Sequence, residues 1–363
     1  MSNAATDRWR RVRALFDAAL ELARPARDAW LGAATRHDDP SVAAEVRAML
    51  AVDAAGANLL DEPPTALLAS LAPIQRAAPT AGMRVGPYVL DRRVGRGGMG
   101  EVWAAEIAPN VPATAVKLLT AAAGQLRAPE RFQQEVRIGM RLAHPHLVPV
   151  LDAGETDDGV PWLAMPLVPG ETLRDRLARE RRLPVRDALR MGAQLAGALA
   201  HAHALGVVHR DVTPANVLLD EAGDARLADF GIARALDAAG PTEGLTLVGS
   251  IVGTPRYFSP ERARGAPPDP RDDVWSLGFV LHELLTGRAP YRGAAHTRVL
   301  AGHGVAPALP DVCAERPEIP RAGGAAVQAA LAPERAGRAD AATLGTRLAD
   351  ALDALDALGA SPH

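Results

Sequence analysis

The distribution of apolar positions divides the chain into a helical beginning, a strand-rich middle and a long helical remainder. After Thr6, which suits an N-cap, Trp9, Val12, Leu15, Phe16, Ala19, Leu20 and Ala23 recur at three- and four-residue spacing and predict an amphipathic helix. Pro25 stands where a second helix would start, with Trp30 and Leu31 on its apolar side. Asp39-Pro40 reads as the cap and first position of a third, lined by Val42, Val46, Met49 and Leu50. A short fourth helix is predicted over 65–71. A Pro-, Ala- and Gly-rich stretch at 73–85 reads as a linker. Beyond it the period shortens. Segments at 88–94, 101–106 and 113–119 alternate and predict strands, with Gly-rich and Pro/Asn turns between them. A helix is predicted over 130–142 and two more strands over 148–152 and 162–167; from Leu173 onward the pattern is mainly helical. Strands followed by helices predict a two-lobed α+β fold, preceded by a small all-α unit at 1–72.

Chemistry-bearing residues punctuate this pattern. Between the first two strands runs Gly95-Arg96-Gly97-Gly98-Met99-Gly100. Glycines let a backbone approach phosphate oxygens and offer them N–H donors. On its own the loop fits a phosphate cradle and a plain flexible hairpin equally well. A dinucleotide-binding fold would continue into a helix, whereas a strand follows here. Lys117 sits in the apolar run Ala115-Val116-Lys117-Leu118-Leu119. A buried ammonium needs an anionic partner. Glu135, eighteen residues on in a predicted helix, would supply one and leave the ammonium over the α- and β-phosphates of a nucleotide. An edge strand from which Lys117 snorkels, with Glu135 as one more solvated charge, accounts for the same residues.

The segment His209-Arg210-Asp211-Val212-Thr213-Pro214-Ala215-Asn216 is far more specific. It lies between a helical stretch and a short apolar strand at 217–219. Asp211 would accept or orient the proton of an attacking hydroxyl, and Asn216 would hold a metal. Asp229-Phe230-Gly231 follows eighteen residues after Asp211, and Asp229 would bridge Mg²⁺ to the β- and γ-phosphates. A hard cation prefers such oxygen donors.

Composition narrows the class. The 363 residues are 48% apolar and 23% charged, which suits a large folded core rather than a disordered chain. A net charge of -3 argues against a nucleic-acid binder held by bulk charge. The single cysteine, Cys313, excludes an intramolecular disulfide and a cysteine-rich zinc site, and fits a reducing cytoplasm. The longest stretch without Asp, Glu, Lys or Arg, from Met191 to His209, contains Gln194, His201 and His203, so it reads as a buried helix and loop rather than a membrane span. No basic-then-apolar leader pattern opens the chain.

Taken in order, the glycine loop, Lys117, Glu135, the His209-Arg210-Asp211 loop, Asp229-Phe230-Gly231 and Ser259-Pro260-Glu261 resemble the bacterial branch of the eukaryotic-type (Hanks-type) serine/threonine protein kinases. The resemblance covers 86–354 and implies a bilobal protein-kinase fold, with a β-rich N-lobe at 86–165, a helical C-lobe at 169–354 and a tail at 355–363. It implies ATP with Mg²⁺, or Mn²⁺ in its place, and transfer of the γ-phosphoryl group to Ser/Thr hydroxyls of cytoplasmic proteins. It implies no nucleic acid and no membrane span, and it allows a homodimer through the catalytic domain. Lys117, Glu135, Asp211, Thr213 and Asn216 fall at catalytic positions, and Asn216 and Asp229 at metal positions. Nucleotide contacts fall on Val94, Gly95, Gly97, Gly98, Gly100, Val102, Ala115, Lys117, Met165, Pro166, Val168 and Leu218. Met165 would be the gatekeeper, and the backbone of Pro166 and Val168 would face adenine. Asp273, in Asp273-Val274-Trp275-Ser276-Leu277-Gly278, would hold the catalytic loop through backbone N–H groups, and Arg338 would pair with Glu261.

Two positions depart from the family. Thr213 stands where a lysine usually neutralises the transferring phosphoryl group; losing one such stabiliser costs about 2.7–4 kcal/mol, or about 10²–10³ in rate. The alternative reading, a pseudokinase acting as a nucleotide-binding or scaffolding module, rests on this residue. Pro166 replaces the common hinge glutamate but keeps the carbonyl that adenine needs. Pro214 and the Gly253-Thr254-Pro255 segment look like the Ser/Thr type. Thr242, Thr246 and Ser250, in the loop before Ser259, are expected autophosphorylation sites, with Arg210 placed to pair with a phosphate there. Thr254 is expected to pack by Asp211. The helical unit at 1–72 resembles a leader found in some bacterial relatives, and the chain is expected to be a soluble kinase or a piece of a longer protein.

Overall fold

A computed structural model describes residues 24–36, 78–97, 100–107, 113–119, 139–230, 255–291 and 309–359, with single positions at 15, 18, 19, 42, 43, 46, 47, 136, 137, 296 and 299. Two compact units make up the chain, Met1–Ala72 with Glu243–Arg256 and Pro73–Thr242 with Tyr257–His363. In the first, helix α1 (Arg24–Ala34) includes Pro25 in its opening turn. Its Leu31 packs with Leu15, Val42 and Val46 into a small core flanked by Trp30 and Ala34. The expected cap residues Thr6 and Asp39 and the helix at 65–71 lie outside the described residues.

In the second unit, period-two alternation builds a six-stranded sheet. Its strands are β1 (Arg84–Val85), β2 (Tyr88–Gly97), β3 (Gly100–Glu106), β4 (Thr114–Leu118), β5 (Asp152–Glu155) and β6 (Pro161–Pro166), in the order β1-β2-β3-β4-β6-β5. Val116, Leu118, Trp162 and Ala164 point to one face, where they pack with Tyr88, Leu90 and Trp103. Ala115, Leu163 and Met165 point to the other and pack with Leu119, Val148 and Ala228. Lys117 belongs to that second face by the same alternation, in register with Val102 on one side and Leu163 on the other.

The helical half begins with β7 (Glu171–Thr172) and α2 (Leu173–Glu180), followed by α3 (Val185–Ala204). The strands β8 (Val217–Leu219) and β9 (Ala225–Leu227) complete a three-stranded sheet with β7. Then come α4 (Pro260–Ala263), α5 (Pro270–Thr286), α6 (Val312–Glu315), α7 (Arg321–Ala330) and α8 (Ala341–Gly359). Helix α5 has a complete capping box, Asp269 with Asp272, Pro270 in its first turn and left-handed Gly287 as its C-cap. Every residue from Asp272 to Leu285 is buried, so α5 is the axle of this half. Helices α3 and α8 close on each other at small residues. A side chain at Gly192 would meet Leu281 and Leu348, and one at Gly345 would meet Ala196.

Several boundaries differ from the sequence expectation. The sheet begins inside the expected linker, because Val85 is fully buried and pairs with Tyr88. The strand expected at 148–152 starts only at Asp152. Upstream, Val148 N–H donates instead to Leu227 O, so the apolar alternation there reports burial rather than pairing in this sheet. The helix expected to reach 142 gives way to a turn after Gly139. Helix α8 includes Leu355, which packs on the core.

Gly170, with φ 139°, joins β6 to β7, and a Cβ there would lie 1.9 Å from the Leu219 carbonyl oxygen. Backbone cannot yield as a flexible side chain can. Gly170→Ala is therefore expected to cost about 2–4 kcal/mol of stability, read as a lower urea midpoint.

Candidate active site

The site is assembled around one buried carboxylate. Asp273, 1% exposed near the start of α5, accepts the backbone N–H of His209 at 2.7 Å and that of Arg210 at 2.7 Å. His203, in the last turn of α3, donates from Nε2 to the same carboxylate at 2.9 Å. Burial alone would push Asp273 up. The hydrogen bond and charge of His203 and the His209 amide outweigh burial and hold the carboxyl below its ordinary value of 3.8. This grip fixes Arg210 at φ 70°, a left-handed conformation that a non-glycine residue adopts only when its surroundings impose it.

The catalytic loop is then tied to the strand pair behind it. His209 Nε2 donates to the Ala228 carbonyl at 2.8 Å, and its Nδ1 accepts the Asp211 N–H at 3.1 Å, so both partners select one tautomer. The Phe230 ring meets His209 edge-on, with centroids 4.4 Å apart. Ala228 N–H donates to Asn216 O at 2.8 Å. The two segments that carry Asp211 and Asp229 thus share one set of fastenings. Asp229 is also left-handed, at φ 68°.

Within this frame, Asn216 Nδ2 donates to the Asp211 carboxylate at 2.8 Å and to its carbonyl at 2.7 Å. Lys117 Nζ lies 2.5 Å from Asp229 Oδ2, with both side chains largely covered. The partner expected for Lys117, Glu135, lies outside the described residues. The described contact is to Asp229, which the lysine reaches across the gap between the sheet and β9. Thr213 is buried beside Pro214.

Val102, Ala115, Met165, Val168 and Leu218 meet in one apolar cluster with Ala228 and Leu163. Pro166 ends β6 opposite Thr114. Val94 falls at a bulge between Arg93 and Gly95 and is 47% exposed. Nothing lies within 4 Å of where a Cβ would project from Gly95 or Gly97, and Gly97 pairs with Gly100 across the hairpin. Gly98, Gly231, Thr242, Thr246, Ser250 and Thr254 lie outside the described residues. Arg338 donates from one guanidinium nitrogen to both Glu261 oxygens, at 2.9 and 2.7 Å, beneath the Trp275 ring. The sequence reading placed His203 in a buried helix but gave it no role; its signal was a histidine in the last helical turn, six residues before His209.

The oxygen donors suit a divalent cation that arrives with its own phosphate ligands. Asp229 supplies a carboxylate and Asn216 an amide oxygen, and among the described residues no group of three His, Cys, Asp or Glu forms an all-protein cage. Mg²⁺ is usually bound in this way, by one or two carboxylates with substrate phosphates and water.

The protein kinase domain family matches residues 88–308. The chain is 43% identical over 252 residues to serine/threonine-protein kinase PknH of Mycobacterium tuberculosis, covering 69% of this chain and 39% of that one. It is 42% identical over 235 residues to serine/threonine-protein kinase PknD of the same organism, covering 64% and 34%. It thus spans about two fifths or less of the length of these curated relatives. The crystal structure of the M. tuberculosis PknI kinase domain superposes with a TM-score of 0.59 at 32% identity, covering 77% of this chain and all of that one. The fold is that of a protein kinase, a β-sheet N-lobe on a helical C-lobe. No helix among the described residues is long and apolar enough to cross a membrane.

The Asp273 carboxyl has a folded pKa below its unfolded one, so its contribution to stability is complete above the unfolded value and is lost as pH falls through the folded value. Asp273→Asn is expected to cost about 3–5 kcal/mol at neutral pH. In urea titrations at stepped pH, the gap between wild type and variant should narrow only in the acid range, below 3.8.

Proposed function

The chain belongs to the protein kinase domain family, and on that premise we propose that it transfers the γ-phosphoryl group of ATP to serine or threonine hydroxyls of proteins. The observation that carries this reading is the meeting of Asp211, Asn216, Asp229 and Lys117 in one place, from three separate segments. The cluster of Ala115, Met165, Val102, Val168 and Leu218 supports an adenine site beneath the glycine hairpin. Lys117 is placed to release Asp229 and take the α- and β-phosphates when nucleotide enters. Asp229 and Asn216 would hold Mg²⁺, for which Mn²⁺ is a chemical substitute. When bound, the metal supplies positive charge against the phosphates. Asp211 orients the acceptor hydroxyl and takes its proton as the oxygen–phosphorus bond forms and the bond to the ADP oxygen breaks. Asn216 keeps that carboxylate aimed. Thr213 offers a hydroxyl but no charge where the family usually has lysine.

Pro214, the Gly253-Thr254-Pro255 segment and the relatives' own designation support Ser/Thr acceptors. A reducing, cytoplasmic setting belongs to the same proposal and is supported by the single Cys313. With labelled ATP, Mg²⁺ and a generic protein substrate, Asp211→Asn is expected to lower incorporation by about 10²–10⁴ while leaving nucleotide binding in place. Equal, negligible labelling by wild type and variant would overturn the proposal. Autophosphorylation at Thr242, Thr246 or Ser250 is part of it too, supported by Arg210 beside Asp211. Tryptic mass spectrometry after incubation with ATP should find phosphate on at least one of the three, and unmodified loop peptides throughout would exclude it.

A further inference from the structure

The glycine hairpin is fastened by a carboxylate that the transfer chemistry leaves unused. Along β2 and β3 the last cross-strand pair with side chains is Arg96 and Glu101; the next pair is Gly97 and Gly100. Glycines have no side chain with which to hold two strands in place, so among the described residues side-chain control of the hairpin falls to Arg96 and Glu101. Glu101 is only 9% exposed, and a carboxylate so covered needs donors. Three surround it. Trp103 Nε1 donates to Oε2 at 3.1 Å, Arg93 donates to Oε1 at 3.4 Å, and Arg96 Nε lies 3.7 Å from Oε1.

The partners are unequal. The Arg93 and Arg96 side chains are 52% and 75% exposed, so each ion pair alone is weak. Trp103 is 7% exposed and embedded in the cluster on the outer face of the sheet. The indole is therefore the fixed point. It holds Glu101, and Glu101 holds the two arginines of β2. Val102, between Glu101 and Trp103, turns to the opposite face, beside Ala115 and in register with Lys117. A shift of Glu101 would thus be felt at once by the tip and by the strand facing the nucleotide lysine.

We propose that Glu101 is a positioning residue for nucleotide. Its carboxylate, held by Trp103 and bridged to Arg93 and Arg96, sets the height of the glycine tip over the triphosphate. The two arginine charges also offset an anion that would otherwise repel the phosphates. The inference rests on the nucleotide reading above.

The test compares wild type with Glu101→Gln, which keeps the shape and removes the charge. KM for ATP is expected to rise about tenfold while kcat falls less than about twofold, and the Kd of a fluorescent ATP analogue should weaken by the same factor as KM. Trp103→Phe, which removes only the indole donor, should move KM in the same direction by a smaller factor. Arg96→Gln, at an exposed position, should raise KM about threefold and serves as the readout if Glu101→Gln does not fold. Unchanged KM and analogue affinity in these variants would overturn the proposal, and so would a fall in kcat at constant KM. A wild type that binds no analogue would instead bring down the nucleotide reading and this inference with it.

Discussion

The buried carboxylate of Asp273 is the point on which the active-site geometry depends. It stands near the start of the most deeply buried helix, and its oxygens receive two consecutive amides of the catalytic loop and one imidazole from the helix before that loop. A loop of this kind has no ladder of its own to satisfy its backbone, so unpaired N–H groups would be costly where water is excluded. One ionised side chain answers them and also bends the chain into a form it would not choose. The rigidity of the C-lobe core is thereby passed to Asp211.

A second transfer of rigidity runs from the loop to the segment that carries Asp229. His209 is its hub. One ring nitrogen binds the Ala228 carbonyl, the other receives the Asp211 amide, and the ring face packs on Phe230. In the N-lobe the same job falls to period-two alternation. One face of the sheet is sealed around Trp103 and Trp162, and the other carries Lys117 and the apolar cluster with Met165. Each reacting group is thus backed by a packed surface facing away from it.

What the sequence made legible was short-range. Asp211 and Asn216 lie five residues apart, and the geometry of one loop makes them neighbours. Lys117 was legible as a misplaced charge in an apolar strand, but its contact with Asp229 was not. A strand pattern says which face a side chain takes, not what stands across a gap, and the described contact joins residues 112 positions apart. His203 read as one more polar residue in a buried helix and loop, and Glu101 as the first residue of a strand. Their roles depend on what burial brings to them. The bulge at Val94 was hidden for a different reason: alternation along a strand carries no mark of one.

Arg210 and Asp229 share a property that bears on how this chain can be changed. Both hold left-handed backbone without being glycine, at φ 70° and 68°. Such positions typically cost about 1–3 kcal/mol each, and the usual remedy in stabilising a protein is to install glycine there. Applied here, that remedy would relax the backbone and delete the two side chains that flank the Asp211 carboxylate in the chain of motifs. A screen that rewards melting temperature alone would therefore drift toward a well-folded protein with an emptied site. The strain at these two residues marks where foldability and chemistry make opposite demands on the same positions.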